Sequence, residues 1–151
     1  MPKFFALAFA MFVFVASPAA KAEPAPGTVE IWRNAGCGCC GKWADHLQAN
    51  GFKVAMHEPG SDKLQEIKKL AGITEKLESC HTAKVGGYVV EGHVPAADVK
   101  RLLAEKPDAL GLSLPGMPVG SPGMESDDGR TERYEVLLVK KDGSTEVFAR
   151  H

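Results

Sequence analysis

The chain has 151 residues with 18 basic against 19 acidic side chains, a net charge of −1, so it lacks the positive excess that holds nucleic acid or anionic membrane surfaces. No Arg-rich run or aromatic–basic interleaving offsets that balance. With 44% hydrophobic residues the composition suits one compact domain with a real core, and the length does not comfortably hold two.

The first residues read as an export signal. Lys3 gives a short positive start, Phe4 to Ala16 is apolar and uncharged, Ser17-Pro18 breaks the run, and Ala20-Lys21-Ala22 is a small-x-small cleavage pattern. The apolar run falls short of the about 20 residues a membrane-spanning helix needs. Cleavage is expected after Ala22, leaving residues 23–151 as a single domain of net charge about −3 with no membrane span.

Residues 23–27 form a flexible lead-in, and residues 28–33 alternate as a first strand. Gly36 and Gly38 flank Cys37 in a permissive loop. From Cys40 the apolar positions Trp43, Ala44 and Leu47 make a helical stripe, which Gly51 closes. Phe52, Val54 and Met56 alternate along a second strand with one buried face. Asp62 and Gln65 resemble a capping box for a second helix with Leu64, Ile67 and Leu70 on its apolar side, ended by Gly72. Residues 83–91 read as a hairpin about Gly86-Gly87, and Pro95 opens a third helix carrying Val99, Leu102 and Leu103. This order of strand, helix, strand, helix, hairpin and helix is that of a thioredoxin-like α/β domain. Residues 111–133 read as an irregular Gly/Pro-rich loop containing Pro115-Gly116-Met117 and Pro122-Gly123-Met124. A closing hairpin, Tyr134 to Val139 and Thr145 to Ala149 about Asp142-Gly143, is expected as an addition to one sheet edge.

Cys37-Gly38-Cys39-Cys40 crowds three thiols into four residues at the start of the first helix, and Cys80 lies far along the chain. The positive end of that helix favours thiolates. Structural bridges staple distant segments, whereas adjacent Cys39 and Cys40 cannot satisfy the about 4.4–6.8 Å Cα spacing and dihedral of an unstrained disulfide. Cys37 and Cys40 spell the C-x-x-C of dithiol redox proteins, but a third thiol beside the resolver invites scrambling. Thiolates are soft ligands for Cu(I), and bridging thiolates hold more than one ion. Zinc sites more often use two separated cysteine pairs. The residues therefore point first to copper held by Cys37, Cys39, Cys40 and Cys80. A thiol–disulfide oxidoreductase using Cys37 and Cys40, and a structural domain bridged 37–40 and 39–80, are the rival readings.

His81 and His93 sit near the cysteines in the predicted fold and form a second tier of candidate ligands, as do the thioethers of Met117 and Met124. The plain alternatives are ordinary polar side chains and loop anchors. His46 is expected to be solvated, and His57 to end the second strand away from Val54 and Met56.

The chain resembles the DUF411 family of CopG-like copper-resistance proteins. The resemblance rests on Cys37-Gly38-Cys39-Cys40 with Trp43, Cys80-His81-Thr82-Ala83, Gly86-Gly87-Tyr88, Glu91-Gly92-His93-Val94-Pro95, and Gly111-Leu112 through Met117-Pro118 to Met124-Glu125. It implies a thioredoxin-like fold, a periplasmic location, and polynuclear Cu(I) in a thiolate-bridged cluster on Cys37, Cys39, Cys40 and Cys80. It further implies a role in copper tolerance beside efflux or copper-chaperone proteins, with cycling between Cu(I) and Cu(II).

Overall fold

Val29 and Ile31 are fully buried, which marks the first strand as central to the sheet. The computed structural model describes residues 27–151, so the predicted leader of residues 1–22 lies outside the described residues. Strand β1 (Thr28–Arg33) is followed by helix α1 (Gly38–Ala49), β2 (Lys53–His57) and α2 (Ser61–Leu70). Then come β3 (His81–Val85), β4 (Tyr88–Glu91) and α3 (Ala96–Glu105). Strands β5 (Gly111–Ser113), β6 (Glu135–Val139) and β7 (Thr145–Arg150) complete a mixed α/β fold.

The seven strands form one sheet in the order β2-β1-β3-β4-β5-β6-β7. β1 and β2 are parallel, as are β4 and β5, and the remaining neighbours are antiparallel. Gly86 and Gly87 both adopt positive φ, 56° and 87°, which a two-residue turn between β3 and β4 requires. The final hairpin occupies the sheet edge as expected, with β7 outermost.

α1 lies on the sheet by the predicted stripe: Cys40, Trp43, Ala44 and Leu47 are all buried. Trp43 Nε1 donates to the Val94 carbonyl at 2.9 Å, so the largest core side chain also satisfies its polar atom. On α3, Val99 and Leu102 are buried, and the helix stops at Lys106, left-handed at φ 48°, ahead of Pro107.

Four expectations need correction. β2 is an edge strand, so only Phe52, just ahead of it, is buried, Val54 is half-buried, and Met56 is 42% exposed. α2 has Gly60 at its N-cap without a side-chain cap, so Asp62 lies inside the first turn and forms no capping box. The buried partner of Leu64 on that helix is Lys68 one turn on, while Leu70 is 80% exposed. Gly111–Ser113 is a fully buried strand rather than loop. Three residues are too few to show a period, and Gly111 is there because the Val89 carbonyl occupies the space a Cβ would need.

That contact gives a test remote from the cysteines. Gly111→Ala must push β4 and β5 apart, and is expected to lower the unfolding free energy by about 2 kcal/mol or more, read as a lower urea midpoint.

Candidate metal centre

The loop between β1 and α1 is built to hold sulfur at a helix end. Gly36 takes φ 75° to turn the chain, and Arg33 Nη1 donates to the Cys37 carbonyl at 2.8 Å while Nη2 pairs with Glu58 at 2.6 Å. Cys37 occupies the N-cap of α1 without a side-chain capping bond, and the first turn has no acidic residue. The positive end of the helix is therefore left to face the sulfurs.

Cys80 arrives from the other side. The antiparallel register sets Arg33 opposite His81, which brings the residue just ahead of β3 beside the loop that follows β1. The sulfurs of Cys37, Cys39, Cys40 and Cys80 all lie within 4.8 Å of one another. Cys80 Sγ is 3.5 Å from Cys40 Sγ and 3.9 Å from Cys39 Sγ, and Cys37 Sγ is 3.5 Å from Cys39 Sγ. In this form Cys37 and Cys40 are joined as a disulfide, whereas Cys39 and Cys80 are free thiols. The second bridge of the structural-disulfide alternative, 39–80, is not made.

Two imidazoles complete the cluster. His93 Nε2 lies 2.9 Å and His81 Nδ1 3.3 Å from Cys80 Sγ, and the three donor atoms lie within 4.8 Å of one another. His93 Nδ1 donates to the Pro122 carbonyl at 2.8 Å, which fixes the tautomer and turns the Nε2 lone pair toward Cys80. His81 is wholly buried under the Trp43 ring, with centroids 4.4 Å apart, and its Nε2 has no hydrogen-bond partner among the described residues. Burial holds the pKa of His93 below its ordinary value and that of His81 well below, so both rings are neutral at pH 7 and can offer a lone pair. Burial, reinforced by Cys39, pushes the Cys80 thiol up to about 12. The helix end thus does not make Cys80 a thiolate on its own. A cation must displace that proton.

The Pro-Gly-Met repeats frame this site through their backbone. Gly116 receives the Ser79 hydroxyl on its carbonyl at 2.5 Å and donates its N–H to the Glu78 carbonyl at 2.9 Å, next to Cys80. Pro122 orients His93, and Gly123, at φ 88°, lies so close to α1 that a Cβ would stand 2.6 Å from the Cys39 carbonyl. Met117 is 49% exposed and Met124 half-buried. The glycines and carbonyls of these repeats carry the contacts seen.

Sequence reasoning missed several residues. His46 is half-buried rather than solvated, its Nε2 accepting the Ala96 N–H at 3.0 Å. His57 ends β2 as expected, exposed and paired with Glu30 at 2.5 Å. Behind Cys80 lies a buried ion pair, Lys68 with Glu91. A lysine four residues after Leu64, in a helix whose apolar stripe needs that position, was the available signal.

The family described as "protein of unknown function, DUF411" matches residues 77–124, the stretch from Leu77 through Cys80 and His93 to the second Pro-Gly-Met. Form 1 of a solved copper resistance protein CopG is 44% identical, with a TM-score of 0.76 over 83% of this chain and 98% of that one. Form 2 gives the same identity and TM-score over 82% and 97%. No curated protein matches the chain. Among the described residues no helix is long and apolar enough to cross a membrane.

The thiol chemistry is directly measurable. In metal-free protein carrying the Cys37–Cys40 bond, the alkylation rate of Cys80 is expected to keep rising about tenfold per pH unit from pH 8 to pH 11, followed by mass spectrometry. A plateau below pH 10 would contradict the burial argument.

Proposed function

As the chain belongs to the DUF411 family, with copper resistance protein CopG among its relatives, we propose that it is an exported copper-binding protein that holds Cu(I) as cargo in a thiolate-bridged, polynuclear cluster. The observation that carries this reading is the meeting of four sulfurs from two distant segments within 4.8 Å. Soft thiolates crowded at one point suit Cu(I), which tolerates bridging sulfur, better than zinc, which favours a closed tetrahedron about one ion. Cys37, Cys39, Cys40 and Cys80 are the ligands in this reading. His93 and His81 stand as nitrogen donors on the Cys80 side, supported by the fixed tautomer of His93 and by the approach of His93 Nε2 and His81 Nδ1 to the Cys80 sulfur. Met117 and Met124 remain a further tier, from loops that frame the site.

The same proposal includes a leader of residues 1–22, a mature domain of residues 23–151, and work in the periplasm beside efflux or copper-chaperone proteins. A parallel β1–β2 pair, with β3 and β4 following antiparallel, supports a thioredoxin-like core beneath the added C-terminal hairpin. Copper passing between Cu(I) and Cu(II) at this site is part of the reading.

A second reading, a thiol–disulfide oxidoreductase, is favoured by one observation: Cys37 and Cys40 are bonded to each other. It expects metal-free protein to turn over a model disulfide and to be indifferent to Cys39→Ser.

Anaerobic Cu(I) titration of fully reduced protein against a chromophoric chelator separates the two. Cys39→Ser and Cys80→Ser are each expected to lower copper stoichiometry and to weaken binding by at least about tenfold, or about 1.4 kcal/mol. Unchanged stoichiometry and affinity in Cys39→Ser would defeat the cluster. His93→Gln is expected to weaken binding less than either.

A further inference from the structure

Cys80 lies one residue outside the β1–β3 ladder, which begins at the Arg33–His81 pair, and residues 78–80 belong to no strand or helix. Something other than sheet pairing must fix the sulfur that meets α1. Ser79, its immediate neighbour, has every polar group taken. Its N–H donates to Glu91 Oε1 at 2.8 Å, its carbonyl accepts from Lys68 Nζ at 3.1 Å, and its hydroxyl donates to the Gly116 carbonyl at 2.5 Å. Three residues further on, Thr82 Oγ1 accepts from Lys68 Nζ at 3.1 Å and donates to Glu91 Oε2 at 2.6 Å. Lys68 and Glu91 close the network by bonding directly to each other. They are 2% and 0% exposed. Gly92 packs so tightly on Ser79 that a Cβ there would stand 2.6 Å from the Ser79 hydroxyl oxygen.

A buried ion pair is a poor device for stability alone, because desolvating two charges consumes most of what their attraction returns. Here every spare hydrogen-bonding atom of the pair lands on the residues that flank Cys80. We infer that Lys68 and Glu91 are positioning residues that hold the Cys80 segment against the N-terminus of α1 and thereby set the spacing of the fourth sulfur from the other three. The inference rests on the copper reading for its consequence, but its geometric content stands in metal-free protein too. Helix α2 becomes the support from which this clamp reaches the Cys80 segment.

The test must separate positioning from mere stability. Lys68→Met alone leaves Glu91 buried and unpaired, so loss of fold is expected to confuse that variant. The double variant Lys68→Met/Glu91→Leu removes both charges together, and such apolar replacement of a buried pair is often neutral or stabilising. It is expected to keep a near-wild-type thermal midpoint, to bind Cu(I) at least about tenfold more weakly, and to expose Cys80 to alkylation faster relative to Cys39 in metal-free protein. Val136→Ala, a core truncation on β6, serves as the control that loses stability with unchanged copper affinity. Wild-type affinity and an unchanged Cys80:Cys39 alkylation ratio in the double variant would overturn the inference. Should wild-type protein bind no Cu(I), the copper reading falls, and the alkylation ratio still decides the clamp. Should the double variant not fold, Thr82→Val carries the test. It keeps the ion pair and cuts two of the four bonds that the pair makes to the segment, so copper affinity is expected to fall about threefold and the ratio to rise; no change in either overturns the clamp.

Discussion

The register between β1 and β3 is the constraint on which the site depends. With Arg33 opposite His81, the strand that leads into the three-cysteine loop and the strand that follows Cys80 share one end of the sheet. A slip by one residue would turn every side chain of β3 to the other face. That register is protected from both sides: Val29, Ile31, Ala83 and Val85 are all buried, so the sheet core and the sulfur geometry are enforced by the same contacts. The hydrophobic effect thus supplies the force that brings two distant pieces of chain within coordinating distance, although no apolar atom takes part in the chemistry.

Around that junction the molecule buries more polar matter than its size would lead one to expect. Lys68, His81, Thr82, Glu91, His93 and Ser113 are each at most 2% exposed. Most are paired, which limits the cost of taking them from water. The exception among these, within the described residues, is Nε2 of His81, on the ring whose Nδ1 faces Cys80. Desolvation favours the neutral form of four groups here, lowering the imidazoles of His81 and His93, raising the Cys80 thiol, and pushing the Glu91 carboxyl up despite Lys68 beside it. Neutral imidazoles present lone pairs rather than positive charge at this cluster.

The sequence made the scaffold legible where a period ran long enough to be read. The Cys40–Trp43–Ala44–Leu47 stripe, the Gly86-Gly87 hairpin and the closing hairpin all lie where pattern and turn chemistry put them. β5 escaped because three residues carry no period, and its identity as a strand comes from neighbours distant in sequence. Leu70 misled because an apolar residue at helical spacing need not face inward, and Lys68 took the buried position for the sake of Glu91 across the sheet. Of the site, the four cysteines were visible as an improbable density of thiols. The imidazole tautomer set by Pro122, the place of Gly123 against Cys39 and the Ser79 bonds were not, since each joins residues whose proximity only the folded chain creates.

The bond between Cys37 and Cys40 spans a separation of only three residues, a single turn at the head of α1. In the chain-entropy account a ring that small restrains the unfolded polypeptide by about 2 kcal/mol, against about 4 for a ring the size of one joining residues 39 and 80. Opening or closing it therefore changes the electron count and the number of available sulfurs far more than it changes the architecture. It is a clasp on one helical turn rather than a rivet in the frame.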